Sequence, residues 1–453
     1  MTLAKILAGS ISSARYEMLG DAEIEAAKNS ISDCLACMIA GASTQTATIA
    51  RTVATRTKGS GHSTVVGLHD LSDASTAALV NGISGHALDF DDILWTQYGH
   101  PSVSVLPAAL AVAEATGACG RDLILAYAIG VEVAGKLGRL ANPFHYEHGW
   151  HATGTIGVFG AAAACAKLLG LNESQTAMAL GIAASESSGI RSNVGSMTKP
   201  FHAGNAARGG VLAAELAREG FTSDLGALDG NAGWLRVCGV ERGPHENYAI
   251  SNFGNPWELT SPGLVLKRHA ACGCTHCAID GVLELMQTNS ILPSEIESIH
   301  CHANPLAKLV LCYPRPSTGL EGKFSMEFSL ATAAIHGKAG MSQFSDSAVN
   351  DASVISLMER ITFSERPDLA YAGTLDSVAA EVTLHARGKT FKRLVDVPSG
   401  DRRRPLTVQQ RQDKFADCVS AALGQSNTQA LFSAIDQLDS VRNIRSVLEI
   451  VRS

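Results

Sequence analysis

Aromatic side chains are scarce in this chain, making up 5% of its 453 residues. Charge is scarce too, at 17%, and the basic residues never gather into a stripe, Arg402–Arg404 being the longest run. With a formal net charge of −7, nothing in the composition attracts nucleic acid. Long apolar runs are missing as well. The least charged segment, Ala152–Cys165, is too short to cross a bilayer and is full of Ala and Gly, so no membrane partner is expected. Neither a GxSxG elbow nor a GK[ST] phosphate loop is present. GTIGVFG at Gly154–Gly160 lies within a helical pattern with no strand before it, which excludes a dinucleotide fingerprint. No nucleotide or flavin cofactor is therefore expected.

Eleven cysteines are an odd count, and Cys34, Cys37 and Cys165 fall in apolar segments, so a disulfide framework is not expected. The opening MTLAKILAGSISSARYE has a single Lys and an apolar stretch broken by Gly and Ser, a poor signal peptide. A reducing cytoplasm is the simplest expectation.

What is present is 46% hydrophobic residues, much Ala and 43 Gly, the composition of a well-buried chain whose helices approach closely. The length predicts two domains. Helical periodicity covers Asp21–Ala40, Thr48–Arg56, Asp73–Ser84 (capped by Ser72 or Asp73), Val105–Thr116 and Arg121–Leu137. It continues through Thr153–Leu169, Glu173–Glu186 and Asn205–Arg218, with a short extended passage at STVVG. Past Trp257 the texture changes. Glu295–His302 and Ser377–His385 alternate like strands, Thr390–Val397 completes a hairpin after Gly388, and Phe324–His336 and Asp351–Glu359 read as helices. Beyond the polar Pro398–Pro405 the chain is helical again over Val408–Val451. The expectation is a mainly α protein: a large all-helical domain (1–265 with 405–453) and a smaller α+β lid domain (266–404), the C-terminal helices returning to the helical domain.

Chemistry gathers in five stretches. In ALDFDDILWTQYGHPSVSVLP, Asp89, Asp91 and Asp92 crowd together ahead of Gly99-His100-Pro101, an arrangement with little structural use unless it is a solvated acidic loop. His145, Tyr146, His148 and His151 precede an apolar helix, whose positive end favours the neutral imidazole that a general base needs. Lys199 precedes Pro200 in a Gly-bounded loop, a device for presenting one cation to an anion. Lys267 leads into Cys272-Gly273-Cys274-Thr275-His276-Cys277 at the proposed domain junction, where small-molecule sites form. Cys274 and Cys277 make a CxxC, but no second CxxC stands at finger-like spacing, so no metal is assigned and a close-packed polar lining is expected. Tyr313-Pro314-Arg315 comes last, before Lys323-Phe324-Ser325.

In this order the pieces resemble the MmgE/PrpD family: DFDD with a following GHPS, HYxxGWHATGT, TKPFHxGNAARGG, a Lys before a Cys-rich T-H segment, and KFSMEFSLA. The family includes 2-methylcitrate dehydratase, cis-aconitate decarboxylase and iminodisuccinate epimerase. The resemblance implies a homodimer acting on a small di- or tricarboxylate without metal or organic cofactor, the site lying between helical domain and lid. It places Asp89, His100, His151, Lys199, Lys267 and Tyr313 in the pocket, with Tyr146, Cys272 and His276 binding or orienting substrate. Two departures stand out. Cys272 occupies the position of a His in decarboxylase-type members, and His100-Pro101-Ser102-Val103-Ser104 replaces the HPSDN of dehydratase-type members. The HPS followed by small or apolar residues lies closer to the epimerase-like branch.

The implied chemistry is loss of a proton, or of carbon dioxide, next to a carboxylate. His151 or His100 would serve as base, and Lys199 and Lys267 would hold carboxylates and developing charge. Tyr313 or the other His would return a proton, while Asp89 would orient a His or Lys. The expected function is a cofactor-independent lyase (dehydratase or decarboxylase). An epimerase is the alternative, followed by a non-catalytic carboxylate-binding protein, against which paired histidines rather than paired arginines argue. A zinc-dependent hydrolase is the remaining option.

Overall fold

The computed structural model describes residues 1–54, 56, 61–240, 252–369 and 378–452. The chain is mainly α, with one small mixed sheet. Its first part packs helices α1 (Leu3–Ser13), α2 (Asp21–Gly41), α3 (Gln45–Ala54), α4 (Ala74–His86), α5 (Ser102–Thr116), α6 (Gly120–Ala141), α7 (Gly157–Leu168), α8 (Glu173–Glu186) and α9 (Thr198–Arg218). Helix α5 is the axis: every residue from Ser102 to Glu114 is buried, with α4, α6, α7 and α9 packed around it. Small residues permit this closeness. Where α4 meets α9, a Cβ added to Gly204 would lie 2.2 Å from the Leu79 carbonyl oxygen, so only glycine fits. The passage at STVVG is a two-residue strand, β1 (Ser63–Thr64), paired with β2 (Leu71–Ser72).

Most helix boundaries follow local capping. Asp73 accepts from Thr76 N at 2.8 Å, and Asn172 and Gln175 form a capping box at the start of α8. Three starts come three or more residues earlier than the periodicity predicts, one being α3 at Gln45 rather than Thr48. Helix α5 begins at Ser102 rather than Val105, and α9 begins at Thr198 rather than Asn205. The Gly-bounded loop expected around Lys199 is thus corrected to the first turn of a helix. Pro200 fits there because first-turn N–H groups lack intrahelical partners. Helix α3 ends at Ala54, short of the expected Arg56, with residue 55 outside the described residues.

The sheet has the order β4-β3-β5-β6, from β3 (Ile296–Ala303), β4 (Ile361–Glu365), β5 (Ala380–Ala386) and β6 (Lys389–Val395). β3 pairs in parallel with β4 and antiparallel with β5; β5 and β6 form a hairpin through Arg387 and Gly388, both at positive φ. Ser377, the expected start of β5, lies outside the described residues. β4 is the strand that periodicity does not signal: five residues at an edge, buried at one position. The inner face, including Ile299, Cys301, Val382 and Leu384, packs on α10 (His276–Asn289) and α11 (Met326–His336). Between α11 and β4 lies α12 (Ala352–Met358).

The chain then returns. Helix α13 (Val408–Asp436), broken at Gly424 by a non-helical conformation, packs on α2, and α14 (Arg445–Arg452) packs on α13. α13 brings Lys414 into the interior, where its ammonium pairs with Asp33 at 2.6 Å and donates to the Phe90 and Lys267 carbonyls, each at 2.8 Å. All eleven cysteines are free, and among the described residues no helix is long and apolar enough to cross a membrane.

Lys414→Met should therefore lower the urea unfolding free energy by about 3 kcal/mol, because it strands the buried Asp33 carboxylate. Adding Asp33→Asn to it should recover part of that loss; equal losses in single and double variants would show that the pair does not hold α13 in place.

Candidate active site

The loop after α4 turns sharply at Asp89, which sits at φ +50°, a left-handed conformation that Asp tolerates better than most residues. The turn carries its carboxylate inward. There Oδ1 accepts from Lys267 Nζ at 2.6 Å and from Lys199 Nζ at 3.1 Å, while Lys267 also donates to the Asp89 carbonyl at 2.8 Å. All three residues are buried. Burial alone would raise the Asp89 carboxyl, but the two ammonium groups outweigh it and hold the acid far below the ordinary range. The same contact keeps Lys267 charged: burial disfavours its ammonium, yet Asp89 and Asp91 raise it. The site thus contains a buried pair of cations sharing a single carboxylate oxygen, with Asp91 as a second acid close by.

The histidines beside it are ordered by acceptors. His100 Nδ1 lies 2.8 Å from the Asp92 carbonyl and 3.1 Å from Asp91 Oδ2. A carbonyl can only accept, so His100 Nδ1 carries hydrogen and, in the neutral ring, Nε2 carries the lone pair. That Nε2 is the atom directed toward Asp89 Oδ1, 3.8 Å away. Asp91 also accepts from His86 Nδ1 at 2.9 Å, so one carboxylate fixes two imidazoles, and His86 Nε2 is buried without a partner. His151, at the N-cap of a short turn before α7, meets His202 Nδ1 to Nδ1 at 3.0 Å, with a single proton between two neutral rings. Burial, reinforced by Lys199, holds His151 well below the usual imidazole range and brings His202 to about 4; burial is also the main cause that takes His86 to about 3.

The remaining expected residues ring this cluster. Tyr146 is buried, its phenol raised by burial and by Cys274 and Cys272, with Arg191 opposing. The hydrogen bond between the thiols of Cys272 and Cys274 lowers Cys272, with Lys267 helping, and raises Cys274, to which burial adds. Tyr313 donates to the Val194 carbonyl at 2.9 Å, which places it against the segment leading to Lys199. His276 stands further back: its ring packs on His269 and its Nε2 bonds to the Ala271 carbonyl at 3.3 Å, away from the two lysines' carboxylate. Of the other histidines in the 145–151 stretch, His145 is a core group hydrogen-bonded to Thr155, and His148 is exposed.

Sequence reasoning did not assign His86, Asp91, His202 or Lys323 to the site. Lys323 is buried and donates to the Leu88 and Ala270 carbonyls at 2.8 and 3.0 Å. Burial, with Lys267 and Lys199, outweighs Asp89 and brings its ammonium down to about 7. A recognisable signal existed in each: His86 precedes DFDD by three residues, and His202 and Lys323 stand inside the recognised motifs. Ligand atoms of His86, Asp89, Asp91 and His100 all lie within 4.8 Å of one another, a set chemically able to hold a metal ion. Here Asp89 already neutralises two ammonium groups and Asp91 holds two imidazole protons. A divalent ion would have to displace those contacts beside two fixed cations, so the arrangement is better suited to proton transfer and anion binding.

Comparison with known proteins gives matches along most of the chain. The MmgE/PrpD N-terminal domain matches residues 5–247 and the MmgE/PrpD C-terminal domain residues 269–440. Cis-aconitate decarboxylase of Homo sapiens is 29% identical over 435 residues, covering 94% of this chain and 89% of that protein. The Mus musculus cis-aconitate decarboxylase is 26% identical over 461 residues (98% and 92%), and that of Aspergillus terreus 25% over 397 residues (83% and 80%).

The histidine environment has a measurable consequence. His86, His100, His145, His151, His202 and His276 all titrate below the ordinary imidazole range in the folded chain. Between the unfolded value of 6.5 and about 4, where His145 and His202 titrate, the unfolded chain binds protons that the folded one refuses. Stability should fall as pH drops through that window. Asp92, raised to about 8 mainly by burial, acts in the opposite sense throughout it, one group against the six histidines. The urea midpoint should drop between pH 6.5 and 4, and less steeply in His145→Gln; identical slopes in variant and wild type would refute this.

Proposed function

The chain belongs to the MmgE/PrpD family, and on that premise we propose that it is a cofactor-independent lyase acting on a small tricarboxylate of the cis-aconitate type. The observation that carries this reading is the ordering of His100 by Asp91 and the Asp92 carbonyl, which leaves a bare Nε2 beside two buried ammonium groups. The relatives named above are decarboxylases, which supports loss of carbon dioxide over loss of water. Residues 266–404 are read as a lid over 1–265 and 405–453, working within a cytoplasmic homodimer.

In the proposed reaction, one substrate carboxylate sits against Lys199 and Lys267. The carbon–carbon bond to the departing carboxylate breaks, and its electron pair passes into the conjugated system ending on the retained carboxylate. The two ammonium groups stabilise that charge where water is excluded and their field is little screened. A proton must then be delivered to carbon. His100 Nε2, bare in the resting ring, takes that proton from solvent and passes it to the carbon, and Asp91 keeps the ring in one tautomer. His151, tied to His202, or Tyr313 serves on the other side. Tyr146, Cys272 and His276 shape the wall and need not touch the reacting carbon. Were the first step proton removal instead, the same Nε2 would act as general base.

Proton NMR in deuterated water tests the reading. Incubation with cis-aconitate should give the vinylic signals of its decarboxylated product, and 2-methylcitrate and citrate should remain unchanged. Deuterium uptake at the α-carbon of iminodisuccinate without elimination would establish an epimerase and overturn the lyase. His100→Gln and Lys199→Ala should each lower kcat by roughly 10²-fold or more with folding intact. Asp91→Asn should lower kcat with KM little changed; near-normal turnover in Lys199→Ala would sink the assignment.

A further inference from the structure

Almost every buried or half-buried cation near the site has a partner. Lys199 and Lys267 share Asp89, Lys414 pairs with Asp33, Lys136 and Arg139 pair with Glu258, and Lys323 donates to two carbonyls. Arg191 is the exception. Its Nη1 is buried and makes no hydrogen bond, and among the described residues no carboxylate lies within ion-pair distance of it. A buried guanidinium nitrogen without an acceptor is costly, and its fork geometry matches a carboxylate better than any other common group.

Arg191 is also held in place. It lies in the segment between α8 and α9, whose backbone is fastened to the site at three points. Arg191 N donates to the Gly149 carbonyl at 2.7 Å, and His151 N donates to the Gly189 carbonyl at 3.0 Å. Tyr313 donates to the Val194 carbonyl at 2.9 Å. Gly189, at φ +130°, lets the segment pass directly over His202, since a Cβ there would lie 3.1 Å from the ring. The guanidinium itself rests 4.9 Å above the Tyr146 ring, and Tyr146 is the residue whose phenol feels Cys272, Cys274 and Asp89. The cation therefore sits over an aromatic ring, on a segment tied to the catalytic candidates His151 and Tyr313, with its buried nitrogen unsatisfied.

We infer that Arg191 and Tyr146 form a subsite for a second carboxylate of the substrate, remote from the reacting carbon, and so select tricarboxylates over dicarboxylates. This rests on the reading of the site as one for polycarboxylates. The lysine pair takes the carboxylate at the reacting end, and Arg191 takes the distal one in a charge-assisted, two-toothed contact. The contact fixes the substrate's orientation, and contributes chiefly to binding rather than to the chemical step.

The test uses calorimetric titration with tricarballylate, an unreactive saturated tricarboxylate, and with glutarate, alongside kinetics on cis-aconitate. Wild type should bind tricarballylate about tenfold or more tightly than glutarate. In Arg191→Gln that preference should disappear, with KM for cis-aconitate raised by about the same factor and kcat within a few-fold; Arg191→Lys should fall between. An unchanged urea midpoint confirms that the variants fold. Arg191→Gln keeping the wild-type preference would overturn the subsite and leave the polycarboxylate reading standing. Wild type binding neither acid and leaving cis-aconitate untouched would overturn both, a result visible before any variant is made.

Discussion

One buried carboxylate holding two buried ammonium groups is the constraint on which the site depends. Removing Asp89 would leave Lys199 and Lys267 facing each other in a dry interior, where like charges cannot both persist and each would tend to lose its proton. Their charge survives because Asp89 Oδ1 stands 2.6 and 3.1 Å from them. Within this trio two ammonium groups share one oxygen, the second acid, Asp91, being engaged by His86 and His100, and Asp89 Oδ2 is itself buried with no partner.

Holding such a cluster requires rigid surroundings drawn from distant parts of the chain. Lys199 comes from the first turn of α9, Asp89 from a left-handed turn after α4, and Lys267 from the approach to the sheet-bearing part. Helix packing through small residues such as Gly204 brings α9 and α4 close enough for the first two to meet. Lys414 on the returning C-terminal helix and Lys323 ahead of α11 then bind the carbonyls of Phe90, Lys267, Leu88 and Ala270. Two further cations thus fix the backbone on either side of Asp89.

The neighbouring histidines follow the opposite logic. The lysines are kept charged by an acid, whereas His86, His100 and His151 are kept neutral by burial and by those same lysines. Groups a few ångströms apart are pushed to opposite protonation habits, the condition for an acid–base pair working at neutral pH. Asp91 and His202 add direction to this, since an imidazole can serve as base only through the nitrogen that its neighbour leaves free.

Much of this was legible in the residues. Helical periodicity and capping residues located most helices to within a few positions, though α1 and α10 went unread and α9 starts seven residues early. The clusters DFDD, GHP, HATG and TKP marked Asp89, His100, His151 and Lys199, because densely placed ionisable groups beside Pro and Gly have few structural uses. The errors also have physical reasons. Lys199 and Pro200 were placed in a Gly-bounded loop but lie in the first turn of a helix, where no N–H is needed from the proline. β4 carried no alternation because an edge strand buries little. Composition and motif order by themselves determined the mainly helical class, the family likeness and the inventory of ionisable groups, since these depend on local propensity and residue identity. Tertiary structure alone decided which of those groups share a proton. Asp91 bridging two imidazoles, His202 capping His151 and Arg191 left without an acid are products of long-range packing, and contacts across distant segments set a protonation state where sequence spacing cannot.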